Sequence, residues 1–305
     1  MTNCLFVIVI AVGLFSTSAP AQTPEPGRRP SSGHAPSEPQ TGQTRTVLRG
    51  ILFAGAYQLD ASETQKLARE LQSREFEGTD WLQEVEDRAR YLWQDHGYFK
   101  AELTARARSL PDTPEGLRQF QVTITVLNEG AQYRLRAITF EKNRVVSSQE
   151  MLRTQFPPKD GDVFSVGAIG TGLERLRRAY SQLGYINFTA VPEQKVDDTQ
   201  HLITLVIECE EGQPFVMGKI EFTGVSPELA AEFKSRFFLK TGNVYDSRLI
   251  ELFFDQNAKL LPPGFAVEKN CEFRQNIGAA SVDLTIHLDY GGASLPDLPP
   301  VSDES

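Results

Sequence analysis

The chain has 305 residues, 40% of them apolar, and a formal charge of −9. That length accommodates two or three domains of roughly 100–200 residues each, with enough apolar side chains for packed cores. The acidic balance argues against nucleic acid as a partner, because phosphate binding needs a basic face.

Residues 1–21, MTNCLFVIVIAVGLFSTSAPA, carry no Asp, Glu, Lys or Arg. An apolar run from Leu5 to Phe15, then small residues and Ala19-Pro20-Ala21, predicts a secretory signal cleaved before Gln22. The run is shorter than the roughly 20 residues of a bilayer-crossing helix, so no integral membrane span is expected. No Lys or Arg precedes it, which leaves an uncleaved anchor as the alternative. Residues 22–46 are rich in Pro, Ser, Gly and Gln and read as a disordered linker. Residues 291–305 read as a disordered, acidic, Pro-rich tail.

Between these flanks one pattern recurs. It opens with a strand signal, Ile51-Leu52-Phe53, repeated at Ile138-Thr139-Phe140 and Ile220-Glu221-Phe222, whose Ile and Phe share one face. A helix follows in each copy. DASETQKLARELQS places Leu67 and Leu71 at helical spacing, SSQEMLRTQF offers Ser147 as a cap with Glu150 three residues on, and SPELAAEFKSRF offers Ser226 with Pro227 at the first helical position.

Then comes Gly-polar-Val-aromatic: GDVF with Gly161 and Phe164, GNVY with Gly242 and Tyr245, and a looser copy with Gly78 and Trp81. The three glycines lie 83 and 81 residues apart, a period that marks a repeat architecture. The Gly is expected to make a turn and the aromatic to anchor the next helix, which Asp80, Ser165 or Asp246 caps. A phosphate-binding reading fails for lack of the Lys-Ser/Thr and of a preceding strand. The second helix is amphipathic, with Leu173, Leu176, Tyr180 and Leu183 at helical spacing in the middle copy. Gly167, Gly170 and Gly172 fall inside it and read as close-packing positions or a late helix start. Gly97, Gly184 and Pro262-Pro263-Gly264 end the three second helices, each followed by an aromatic.

A second strand is predicted over Phe99–Arg106, Ile186–Val191 and Ala266–Phe273, and a third strand closes each copy at Gly130, Gly212 and Gly291. SLPDTPEG, EQKVDDTQ and FRQNIGA read as the hairpin connections between them. The fold class is therefore α+β: three tandem units over 47–130, 131–212 and 213–290. Each runs strand-helix-helix-strand-strand, with two helices on one face of a small three-stranded mixed sheet. The joints Gly130–Tyr133 and Gly212–Phe215, four residues each, imply limited bending.

This unit resembles the POTRA domain, the bacterial surface-antigen variable-number repeat. The I-x-F strand, the G-x-V-[FY] turn, YSQLGYINF and the closing EEG carry the likeness. The resemblance implies a non-catalytic periplasmic protein of outer-membrane protein assembly or secretion, without cofactors. Its implied partners are outer-membrane β-barrel or assembly-complex proteins and unfolded client polypeptides. Such arrays stand ahead of a membrane barrel, for which the fifteen residues after the third unit are too few.

The resemblance also implies that the second strand is a sheet edge able to accept an extended peptide. The candidate residues are Phe99, Lys100, Glu102, Thr104 and Arg106; Ile186, Asn187, Thr189 and Val191; and Ala266, Glu268 and Asn270. The competing reading is an edge merely blunted by charge at Lys100, Glu102 and Arg106. His34, His96, His201 and His287, the last two placed on third strands, form no catalytic or metal spacing. Cys209 and Cys271 read as free thiols of different units, and ECEEG as a solvated strand end. Phe237-Phe238 and Phe253-Phe254 read as core, or as contacts between units or with partners. The rival reading for the whole chain is a cell-envelope or division scaffold on an uncleaved anchor.

Overall fold

The computed structural model describes residues 45–114 and 116–290. The predicted signal, most of the linker, His34 and the tail lie outside them. Among the described residues the fold is α+β with three small mixed sheets, and no helix is long and apolar enough to cross a membrane. The chain divides into two compact units, Met1–Ala131 and Gln132–Ser305, the second carrying two of the sheets.

The first unit runs β1 (Arg45–Ala54), α1 (Ala61–Gln72), β2 (Glu75–Glu77), α2 (Trp81–Asp95), β3 (Glu102–Leu110) and β4 (Arg118–Asn128). Its sheet has four strands, ordered β2-β1-β4-β3, not the three expected. The extra strand β2 pairs antiparallel with the start of β1, Thr46 opposite Phe76, so β1 begins inside what reads as linker. A three-residue strand is too short to show a period-two signal. Period two is plain in β4, where Phe120, Val122, Ile124 and Val126 are buried against Leu67 and Leu71 of α1 and Val85, Ala89 and Trp93 of α2.

The second compact unit continues with β5 (Arg134–Glu141), α3 (Gln149–Arg153), α4 (Val166–Ser181), β6 (Thr189–Asp197) and β7 (Leu202–Glu210). It ends with β8 (Val216–Thr223), α5 (Pro227–Arg236), α6 (Ser247–Gln256), α7 (Val267–Asn270), β9 (Cys271–Asn276) and β10 (Ser281–His287). The sheets are ordered β5-β7-β6 and β8-β10-β9; in each, the first strand is parallel to the central one and the hairpin is antiparallel. Phe222, Phe233, Phe237, Phe253 and Phe254 pack together under the last sheet, and only Phe238 of the two doublets is exposed. Of the helical row in α4, Leu173, Leu176 and Tyr180 are buried but Leu183, past the helix end, is not. Gly172 faces Phe156 so closely that a Cβ would lie 2.1 Å from the ring, which accounts for a glycine inside that helix.

The Gly-polar-Val-aromatic motif does more than turn the chain. Gly161 has φ +91°, Asp162 accepts from the Lys159 amide through its carboxylate at 2.7 Å, and Val163 forms a bridge to Arg134. Gly242 (φ +88°), Asn243 (from Lys240, 2.8 Å) and Val244 (to Val216) repeat this. Phe164 and Tyr245 drop into their cores, and Trp81 does so in the first unit. The polar residue is Asp or Asn because a short side chain can close that local turn. The bridge seals the outer edge of β5 and β8, as β2 does for β1. Ser165 and Asp246 cap their helices, whereas Asp80 makes no side-chain capping bond.

In α3 the cap is Ser148, which accepts from Met151 N, and not Ser147 as the box with Glu150 predicts. Ser148→Ala should cost about 1 kcal/mol and Ser147→Ala next to nothing, as read from urea midpoints.

Candidate functional site: sheet edges and their caps

β3, β6 and β9 each stand at the end of their sheet order, so the first strand of each hairpin is an edge as expected. It starts later than expected. After each of the first two helix-stopping glycines the chain spends a turn, closed by Ala101 N to Tyr98 O at 3.0 Å and Phe188 N to Tyr185 O at 3.1 Å. Tyr98 and Phe188 are thereby buried, Phe188 stacked on Tyr180 with ring centroids 3.9 Å apart.

Phe99, Lys100, Ile186 and Asn187 consequently lie in turns, not on edges. Ile186 packs against the core of the third sheet. Ala266, Glu268 and Asn270 belong to α7 and its start, where Asn270 Oδ1 accepts from Ala266 N at 3.0 Å. Glu102, Thr104, Arg106, Thr189 and Val191 do lie on strands. The strands run on through residues that read as hairpin connections; two of the actual turns are 198–201 and 277–280. His201 sits in the first of these with φ 51°, not on a strand.

One position of the edge is treated alike in all three sheets. Phe53, Phe140 and Phe222 of the opening strands pair with Ile124, Ile207 and Ile286, and these pair with Ala105, Pro192 and Cys271. The register makes those three residues equivalent. Ala105 donates its amide to Glu86 Oε2 of α2 at 2.9 Å, and Arg90 holds that carboxylate from 2.8 Å. Pro192 has no amide hydrogen, and edge strands take proline where the missing donor faces outward. Cys271 donates back to Val267 O of α7. A carboxylate, a ring and a helical turn thus withdraw the same outward donor. By the alternation of an antiparallel ladder, the next outward amides are Ala107 and Ser109, Gln194 and Val196, and Phe273 and Gln275.

The acid before the closing glycine is the feature that sequence reasoning missed. Glu129 is 8% exposed and accepts from Gln58 N (2.7 Å), Leu59 N (3.2 Å) and Trp93 Nε1 (3.0 Å). Glu211 accepts from Arg144 N and Val145 N (2.9 Å each) and from the Tyr180 hydroxyl (2.8 Å). In both units one carboxylate ties the strand-to-helix loop and the second helix to the closing strand. Burial, then this hydrogen bond, holds the Tyr180 hydroxyl above its usual range. Beside the last sheet Tyr290 stands at that place and donates to Leu260 O. ECEEG is therefore not simply a solvated end; the signal was the acid recurring before Gly130 and Gly212.

Among the described residues no group of His, Cys, Asp and Glu is arranged to hold a metal. A cleft of about 750 Å³ between α1 and α2 is rimmed by Glu63, Glu70, Glu84 and Asp87, with Arg88 reaching both Glu70 and Glu84 at 3.0 Å. Cys209 and Cys271 are free thiols. Burial, then the nearby Glu211, pushes the Cys209 thiol up to about 11. In a chain beginning at Gln22, Cys209 should react with a thiol reagent at pH 8 only on unfolding. Because its pKa is raised on folding, its contribution to stability is full below about pH 9 and declines as pH rises towards 11, which a urea series across that range reads.

Residues 133–212 match the POTRA family, described as surface antigen variable number repeat. The chain is 19% identical to the BamA POTRA3–5 structure of Haemophilus influenzae, covering 81% of this chain and 98% of that one with a TM-score of 0.58. A POTRA1–3 structure of Omp85 from Anabaena matches at 14% identity and a TM-score of 0.33, over 81% and 96% of the two chains. A Treponema pallidum protein named for outer membrane protein assembly is 23% identical over 153 residues, which is 50% of this chain and 18% of that relative.

Proposed function

We propose that the protein is a non-catalytic periplasmic scaffold in outer-membrane protein assembly or secretion. It is built as three consecutive POTRA units, the first starting at β1 and the others spanning 131–212 and 213–290. It binds assembly-complex or barrel partners and unfolded clients, in part by accepting an extended segment beside a sheet edge. The observation that carries this reading is the repeated arrangement itself. Three times the helices cover one face of a sheet and the first hairpin strand is left as its edge. The family match, and the assembly role for which one relative is named, support the placement.

The test is crosslinking of the full chain in envelope preparations, with mass spectrometry of the captured proteins. Recovery of an outer-membrane barrel or its assembly partners supports the proposal. Recovery of septal proteins, with the N-terminal segment retained, favours the division scaffold instead.

A further inference from the structure

We infer, independently of strand addition, that residues 295–301 dock back onto their own chain, in an apolar hollow at the joint between the middle and last sheets. A hollow of about 220 Å³ lies between α3 and α4 and is rimmed by Met151, Leu183 and Arg248 of α6. Met151 is 59% exposed and Leu183 46%. Val244, 52% exposed, adjoins Leu183: its Cγ1 would lie 3.0 Å from a Cβ on Gly184. Arg248 and Leu252 are exposed one turn apart on α6, so the apolar strip continues along that helix. An exposed apolar strip rimmed by polar groups marks a contact surface. A second copy is a poor occupant, since twofold pairing would bring two copies of Arg248 together.

The chain itself supplies the occupant. After Tyr290 it reads GGASLPDLPPV, with Leu295, Leu298 and Val301 three apart. Three residues per turn is the period of polyproline II, which Pro296, Pro299 and Pro300 favour, so the three apolar side chains fall in one row. The reach matches. Tyr290 is tied to Leu260 just beyond α6. Leu260 stands twelve residues after Arg248, roughly 18 Å at helical rise, and Asp297 stands seven after Tyr290, roughly 22 Å at polyproline rise. Gly291-Gly292 supplies the reversal. Running back along α6, the segment sets Leu295 near Leu252, Asp297 beside Arg248 and Leu298 at the hollow. Arg248 gives Nε and Nη2 to Asp246, and its Nη1 has no acceptor among the described residues, which leaves it for Asp297.

Beyond residue 21 the sequence has two methionines, Met151 and Met217, and Met217 is fully buried. Limited peroxide oxidation of the chain from Gln22, followed by mass spectrometry of its tryptic peptides, therefore reads the hollow at Met151 against an internal reference. In a Leu295→Ser/Leu298→Ser variant of the same chain, Met151 should oxidise at least about threefold faster, because the tail no longer covers it. A capped peptide of residues 293–302, added at millimolar concentration, should restore the slow rate, since a short tether gives the tail a comparable effective concentration. If the variant opens the core, seen as oxidation of Met217, Asp297→Lys replaces it and should speed Met151 oxidation likewise. Equal rates in the native and variant chains would overturn the docking, as would failure of the peptide to protect. A native rate that falls as the chain is concentrated would assign the hollow to a second copy instead.

Discussion

Glu129→Ala is expected to destabilise the first unit by about 3–5 kcal/mol, because three donors in a nearly closed site lose one acceptor together. Two of them are backbone amides of the loop from β1 to α1, and the third is the indole of Trp93, itself fully buried. The Leu59 and Trp93 bonds are buried and the Gln58 bond is part-buried, so water replaces the lost acceptor poorly. The chain has two tryptophans, Trp81 and Trp93, both in this unit, so tryptophan fluorescence in a urea titration reads it selectively. Glu129→Gln keeps one acceptor oxygen and should cost less than half as much. Glu211→Ala should cost less in the middle sheet, about 1–2 kcal/mol, because its two backbone donors are exposed to water; it is silent in tryptophan fluorescence and visible by circular dichroism. A loss below about 1 kcal/mol for Glu129→Ala would show that the carboxylate is dispensable.

Gly184→Ala should destabilise the second compact unit by about 2–4 kcal/mol, combining a left-handed backbone with a steric conflict. Gly184 has φ +86°, and an added Cβ would sit 2.8 Å from Phe215 O and 3.0 Å from Val244 Cγ1. Phe215 O is already occupied, accepting from Tyr245 N at 3.0 Å, and Phe215 N donates to Gly184 O at 2.8 Å. The conflict therefore falls on the joint between the middle and last sheets, where Ile186 also packs. Gly242→Ala is the matched control. It has φ +88° but nothing within 4 Å, so only the backbone cost of about 1 kcal/mol remains. Urea unfolding followed by circular dichroism compares the two; equal losses would mean that the joint yields to the methyl group without strain.

The repeat was legible because its markers are local. Gly161 and Gly242 need a positive φ whatever surrounds them, and Ser226-Pro227 starts a helix from its own chemistry. Alternation in β4 and β7 fixed which face is buried, since the pleat permits one choice. The edge residues were harder. Lys100 and Asn187 continue an alternating pattern, yet the chain turns there to bury Tyr98 and Phe188 first. Ala266–Asn270 forms a helical turn that the alternation does not distinguish from strand.

The sequence by itself determined the module, its recurrence and its buried face, because hydrophobic period, glycine conformation and capping act over a few neighbouring residues. Only the tertiary structure decided where pairing begins on each edge and what closes it. Glu86 reaches Ala105 across 19 positions and Glu129 reaches Gln58 across 71, and such partners are chosen by three-dimensional proximity, which no local spacing encodes.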